Sequence, residues 1–221
     1  MLQLHYHPSD ASLIPHILLE ELGVPFELKL VDRANNAQKS AAYLKLNPNG
    51  LIPVLVDGDV VLYETAAILL HLADRYPEAG LAPALATAQR AEYYKWMLWL
   101  SNTFQADFKT YYYAQRYVAP GNTTGAAEVK AMAEERLTGV LTQLDTQMHK
   151  SGGPWLLGAQ YSALDCLAFV LCCWARNFKR PARDASAYPH LAPYLCRMLA
   201  RPAVQRAFAT EQLPASFFGT D

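Results

Sequence analysis

The sequence predicts an α/β domain followed by an all-helical one. Three observations carry that prediction. Within residues 1–77, alternating and helical segments follow one another as β-α-β-α-β-β-α. After Thr87 no segment alternates with period two. Between them, residues 78–86 read as a linker containing Gly80 and Pro83, so the domains are expected at 1–77 and 87–221.

Leu2 to Tyr6 alternates apolar and polar residues, as a half-buried strand does. His7-Pro8-Ser9-Asp10-Ala11-Ser12 is a turn rich in helix-capping residues. Leu13, Ile17, Leu18 and Leu22 then recur at helical spacing, and Gly23 and Pro25 end that helix. Phe26, Leu28 and Leu30 alternate as a second strand. A polar loop with Asn35, Asn36, Gln38 and Lys39 leads to a short helix over 41–46. Pro53 stands inside the apolar run Leu51-Ile52-Pro53-Val54-Leu55-Val56. Proline gives no N–H to a ladder, so it belongs at a strand's first residue, an edge or a bulge. The stretch therefore reads as a turn, Asn47-Pro48-Asn49-Gly50, and a strand starting at Pro53. Val54-Leu55-Val56 and Val60-Val61-Leu62 flank Asp57-Gly58, which predicts a hairpin with a type I′ turn. Glu64-Thr65 opens a helix that Pro77 ends.

The remainder is helical. Residues 88–117 form one long helical pattern with ten aromatics from Tyr93 to Tyr117. Trp96, Leu100, Phe104, Phe108 and Tyr111 share a stripe that reads mainly as core or subunit interface. Further helices are expected over 126–150, 162–178, 191–200 and 203–210. Ser162-x-x-Asp165 is a capping arrangement and reads as structural.

Composition bounds the function. The chain has 221 residues, 52% hydrophobic and 18% charged, with net charge −1, so no long-range field draws it to nucleic acid or an anionic membrane. The run Cys166 to Ala175 is too short to span a bilayer, and no secretory pattern opens the chain. Cys166, Cys172 and Cys173 lie on one apolar helical stretch, away from Cys196. Buried thiols are expected, not a metal site or a disulfide framework, in a cytoplasmic protein.

Four segments together resemble the cytosolic glutathione S-transferase family. They are "NPNGLIPVL" (47–55), "LYETAAILLHLADRYP" (62–77), "GPWLLGAQYSALDCLAF" (153–169) and "YPHLAPYL…RPAV" (188–204). Their order and separations match the family over essentially the whole chain. The resemblance implies a thioredoxin-like N-terminal domain, an all-α C-terminal bundle and a homodimer. It also implies glutathione as co-substrate, no metal, and a small apolar electrophile as second substrate.

Several residues acquire roles through that resemblance. Ile52-Pro53 matches the cis-proline that opens the third strand of such folds; a trans proline starting an edge strand is the alternative. A cis bond would offer the Ile52 N–H and C=O to an extended peptide, as an added strand would. Glu64-Thr65 lies where unpaired helix N–H groups and a positive dipole end suit an anion. The γ-glutamyl carboxylate would be held by the Thr65 N–H and hydroxyl, and the ammonium by Glu64. A plain capping pair is the alternative. Lys39 matches a position that often contacts the glycine carboxylate, a merely solvated loop lysine being the alternative; Asn49, next to the proline loop, is a second candidate for that end, and Leu51 completes the glutathione-binding set.

The chemistry requires a thiolate, and a free thiol has a pKa of about 8.5. Members of the family stabilise it with Tyr, Ser or Cys. Ser9 matches the serine of theta- and zeta-like enzymes, and Tyr6 the tyrosine-type position. Ser12 is a third candidate, ranked after Ser9 and Tyr6. One serine is expected to be structural, and Tyr6 could instead be a packed strand residue. The beta-class cysteine would fall at Ala11 and is absent, which implies a serine/tyrosine-type member. The electrophile is expected between the domains, against Tyr112, Tyr113 and Trp174. Gln105 and Asp107 match positions that reach a partner subunit's glutathione amine. The zeta-type S-S-C-x-W run is absent. Two other readings are a glutathione-dependent disulfide reductase or peroxidase, and a non-catalytic binding module of the same fold.

Overall fold

The computed structural model describes residues 1–176, 178 and 182–214. Two compact units divide them: Met1–Pro83 with the residues from Met198 onward, and Ala84–Arg197.

In the first unit, strands β1 (Leu2–Tyr6), β2 (Phe26–Leu30), β3 (Val54–Asp57) and β4 (Val60–Tyr63) form one sheet in the order β2-β1-β3-β4. β1 runs parallel to β2 and antiparallel to β3, and β4 closes the hairpin on β3. The parallel pair needs a crossover, which α1 (Leu13–Leu22) supplies. Its Ile14, Ile17, Leu18 and Leu19 are fully buried, as are Leu4, Val54, Leu55 and, on α3 (Thr65–Arg75), Ile68, Leu69 and Leu72. Gly23 closes α1 at φ 64°, the left-handed position expected of it.

Local chemistry shifts three expected boundaries. Helix α2 is Ala41–Leu44, shorter than the expected 41–46. The Leu46 and Asn47 N–H groups both return to the Tyr43 carbonyl, at 2.9 and 3.0 Å. Pro48 disfavours the helical conformation at Asn47, so the helix cannot continue. β3 starts at Val54, which pairs with His5, and Pro53 stays outside the ladder. The hairpin's central pair is Gly58-Asp59, because Asp57 already pairs with Val60. Of the two, only Gly58 has positive φ (61°), the pattern of a Gly-first type II′ turn, not the type I′ turn expected.

Helix α9 (Pro202–Thr210) packs along α1 in the first unit. Its Ala203, Val204, Ala207 and Phe208 are buried, and two ion pairs join it to α1: Arg201 bonds Glu21 at 2.5 and 2.8 Å, and Arg206 bonds Glu20 at 2.6 Å. Both glutamates sit near the C-terminal, negative end of α1, where an added anion is unfavourable until a cation offsets it.

The second unit contains α4 (Ala88–Trp99), α5 (Gln105–Tyr112), α6 (Thr123–Ser151), α7 (Ala163–Trp174) and α8 (Leu191–Leu199). A π-helical turn at Leu100–Phe104 divides the single helix expected over 88–117 into α4 and α5. The turn keeps Leu100, Phe104 and Phe108 fully buried with Trp96, so most of the predicted stripe is core. α6 begins three residues early because Asn122 caps it, its Oδ1 accepting the Gly125 N–H at 2.8 Å. α7 ends at Trp174, and the Arg176 guanidinium returns to the Cys173 carbonyl at 2.9 Å. Cys166, Cys172 and Cys173 are buried and Cys196 is exposed.

Asp165 is fully buried at the start of α7. Its carboxylate accepts the Ser162 N–H at 2.9 Å and the Leu156 N–H at 3.0 Å, joining the helix cap to the preceding loop. Asp165→Ala is therefore expected to lower stability by roughly 2–4 kcal/mol, since both N–H groups lose their acceptor. Ser162→Ala should cost about 0.5–2 kcal/mol. Urea denaturation midpoints of the two variants check the order; equal losses would contradict it.

Candidate functional site

The register gathers the candidate residues at one end of the sheet. His5 pairs with Val54, and Val54 with Tyr63. The end of β1, the entry to β3 and the exit from β4 are thus adjacent.

At the entry to β3, Asn47 organises the loop. It is 2% exposed. Its Nδ2 donates to the Leu51 carbonyl at 2.8 Å, and its Oδ1 accepts the Asn49 N–H at 3.0 Å. Tyr43 Oη also donates to the Leu51 carbonyl, at 2.9 Å. Burial raises the Tyr43 phenol well above its ordinary range, so it keeps that proton. The Leu51 side chain is exposed while its carbonyl is committed to the loop. Lys39 Nζ donates to the Asn49 carbonyl at 3.1 Å. Gly50 is at φ 60°, and a Cβ there would lie 2.7 Å from Lys39 Nζ and 2.8 Å from the Gln38 carbonyl oxygen. Both the conformation and the space require glycine. The Ile52–Pro53 bond is cis, as the resemblance implies. Ile52 packs its side chain on Val31, Tyr43 and Val54. Its backbone N–H and C=O make no hydrogen bond among the described residues.

At the exit from β4, Glu64 has φ 72° and ψ 113°, an uncommon conformation for any residue but glycine. It is exposed, and Thr65 is 6% exposed. Glu64 is the N-cap of α3 and makes no side-chain bond to the first turn. Among the described residues no hydrogen bond occupies the first N–H groups of α3 or the Thr65 hydroxyl, which leaves them for a ligand.

At the end of β1, residues 7–12 form a tethered turn. Ser12 is fully buried; its Oγ donates to the His7 carbonyl at 3.0 Å and accepts the His7 N–H at 3.1 Å. Its hydroxyl proton is thus committed to the turn, and it makes no side-chain cap on α1. Asp10 takes Arg33 Nη1 on both oxygens, at 2.9 and 2.6 Å. Ser9 is half-buried at φ 65°, and its N–H donates to Glu211 Oε2 at 2.9 Å. Tyr6 is half-buried and meets the His16 ring edge-on at 6.3 Å. Neither the Ser9 hydroxyl nor the Tyr6 hydroxyl bonds another described residue, so both can donate to a ligand.

Sequence reasoning missed Asn47, Tyr43, Arg33, His16 and Glu211. An asparagine before Pro48 is an Asx-turn signal and could have marked Asn47. No local signal connects Glu211 with Ser9.

In the second unit, Tyr112 Oη donates to the Trp174 carbonyl at 2.6 Å, and Phe108 touches both rings, stacked on Tyr112 and edge-on to Trp174. Tyr113 ends α5 with the Arg116 guanidinium 4.1 Å over its ring. Asp107 is 9% exposed and bonded to Arg136 at 2.7 Å, while Gln105 is buried. Among the described residues no group of three or more His, Cys, Asp or Glu is placed to hold a metal ion. No described helix is long and apolar enough to cross a membrane.

The family model "Glutathione S-transferase, N-terminal domain" matches residues 9–75, and "Glutathione S-transferase, C-terminal domain" matches 106–211. "Glutathione S-transferase GST-4.5" of Xanthomonas campestris is 32% identical over 96% of this chain and all of its own length. "Disulfide-bond oxidoreductase YfcG" of Escherichia coli is 27% identical over 96% of this chain and 97% of that protein. A crystal structure of a glutathione transferase homologue from Sulfitobacter, with bound glutathione, superposes with a TM-score of 0.85 at 28% identity, covering 96% of this chain and 99% of the other. The first unit has the thioredoxin-like fold of the N-terminal domain, and the second the helical fold of the C-terminal one. On this evidence the chain belongs to the glutathione S-transferase family.

Proposed function

We propose that the chain binds glutathione at this end of the sheet and activates its thiol for attack on a small apolar electrophile. One observation carries the reading: the unpaired backbone of Ile52 and the open first turn of α3 meet at the end of β1. The tripeptide supplies what those groups lack. Its cysteinyl backbone pairs with Ile52, and its γ-glutamyl carboxylate takes the Thr65 N–H and hydroxyl. Glu64 pairs with the ammonium. Lys39 and Asn49, held together through the Asn49 carbonyl, face the glycine carboxylate. Pro53 and Leu51 bound the ligand on either side of Ile52.

The activating hydroxyl must have a proton to donate to sulfur. The Ser12 proton is committed to His7, which leaves Ser9 and Tyr6. Ser9 takes the role, with Tyr6 as the second donor, making this a serine/tyrosine-type enzyme. Each unit by which a donor lowers the thiol pKa is worth about 1.4 kcal/mol. The protein works as a cytoplasmic homodimer, without nucleic acid or membrane as partner.

The relative named as a disulfide-bond oxidoreductase favours a second reading, glutathione-dependent disulfide reduction. Two bound glutathiones would then deliver the two electrons and leave as glutathione disulfide, since no protein cysteine precedes Cys166. Turnover of 1-chloro-2,4-dinitrobenzene against hydroxyethyl disulfide separates the readings. Retention on glutathione-agarose tests binding itself; no retention and no thermal shift with glutathione would leave a non-catalytic module.

Ser9→Ala is expected to raise the pKa of bound glutathione and cut kcat at least tenfold. Unchanged turnover with ordinary glutathione affinity would remove Ser9 from the mechanism. Thr65→Val keeps the side-chain shape and loses the hydroxyl. It should raise the glutathione KM about tenfold, as expected for one hydrogen bond to a charged group, and steady-state kinetics check it.

A further inference from the structure

Glu211 follows α9 and lies 202 residues from Ser9, yet its carboxylate reaches the Ser9 turn. Its side chain is wholly buried. Oε2 accepts the Ser9 N–H at 2.9 Å, and Oε1 lies 2.7 Å from Nδ1 of the fully buried His16. Glu20 Oε1 stands 4.0 Å from the other nitrogen of that ring. A buried carboxylate held on both oxygens has one orientation, and its removal strands both partners.

Ser9 needs such a partner. It adopts φ 65°, a left-handed conformation that a residue with a side chain keeps when its surroundings over-determine it. The Asp10–Arg33 pair restrains the turn on one side of Ser9, and the Ser12–His7 ring on the other. Glu211 alone among the described residues hydrogen-bonds Ser9 itself. The remaining α9–α1 ion pairs, Arg201–Glu21 and Arg206–Glu20, lie further along α1 and keep α9 docked independently.

We infer that Glu211 is a positioning residue for thiol activation: by holding the Ser9 N–H it fixes the direction in which the Ser9 hydroxyl leaves the turn. His16 sets the orientation of the carboxylate. The inference rests on Ser9 as the activator, and it adds that the C-terminal segment controls how well Ser9 does its work.

Thiolate absorbance of the glutathione complex, titrated with pH, together with the kcat and KM split, tests it. Glu211→Met keeps the volume and removes both bonds. It should raise the bound-thiol pKa and lower kcat at least fivefold, with the glutathione KM changed less than twofold. Glu211→Gln retains an acceptor for the Ser9 N–H and should restore kcat to within about twofold of the parent. Glu211→Asp withdraws the carboxylate by one methylene and should give an intermediate pKa, which decides the matter if the Met variant does not fold. Arg201→Ala breaks the pair with Glu21 and leaves Glu20, the neighbour of His16, in its own ion pair; it should lower Tm yet leave the thiol pKa unmoved. An unchanged pKa in both the Met and Asp variants, or an equal shift in Arg201→Ala, overturns the positioning role. If Ser9→Ala itself leaves the pKa unchanged, the activator reading fails and this inference falls with it. If Ser9→Ala shifts the pKa and the Glu211 variants do not, the positioning role fails alone.

Discussion

The candidate site depends on β3 running antiparallel to β1. That direction brings the start of β3 beside the end of β1, and the tight Gly58-Asp59 turn returns β4 to the same place. Three chain segments then meet where regular pairing stops. Backbone donors and acceptors that a longer strand or helix would consume are left over at Ile52 and at the first turn of α3. A parallel β3 would send its start to the opposite end of the sheet and separate Ile52 from Ser9. These leftover groups are a by-product of strand direction, and they belong to the main chain more than to side chains.

Much of the surrounding chemistry keeps those leftovers in place. Asn47 and Tyr43 both bond the Leu51 carbonyl, one residue short of the unpaired backbone of Ile52. Ser12 closes the 7–12 turn on the two polar groups of His7. Each of these side chains is polar, buried and hydrogen-bonded within its loop, which adds rigidity. Glu64 and Ser9, at positive φ, are the two residues of the site held in conformations that an isolated chain would avoid. Both lie on the rim that these hydrogen-bonded groups brace.

The fold was legible because its signals are local. Alternation at Leu2–Tyr6, Gly23 after α1, and the glycine-centred hairpin each announce themselves within a few residues. Errors arose where the deciding contact was itself non-local or subtle. The type of the hairpin turn depends on whether Asp57 pairs with Val60, which its neighbours do not reveal. The π-turn at Leu100–Phe104 preserves the apolar stripe that predicted an unbroken helix. Within the site, residues with a short-range motif, such as Ile52-Pro53 and Glu64-Thr65, could be named from sequence. Glu211 could not: a glutamate after a C-terminal amphipathic helix looks solvated, and only the docking of α9 on α1 buries it.

That docking has a consequence for how the molecule is made. The turn carrying Ser9 is synthesised 202 residues before the carboxylate that accepts its N–H. Until the C-terminal helix has emerged and found α1, the His16 side chain and the Ser9 amide have no acid to bond. A nascent or C-terminally clipped chain can therefore complete its sheet and still lack a set turn. Docking of α9, not formation of the sheet, is the event that gives the Ser9 amide its acceptor.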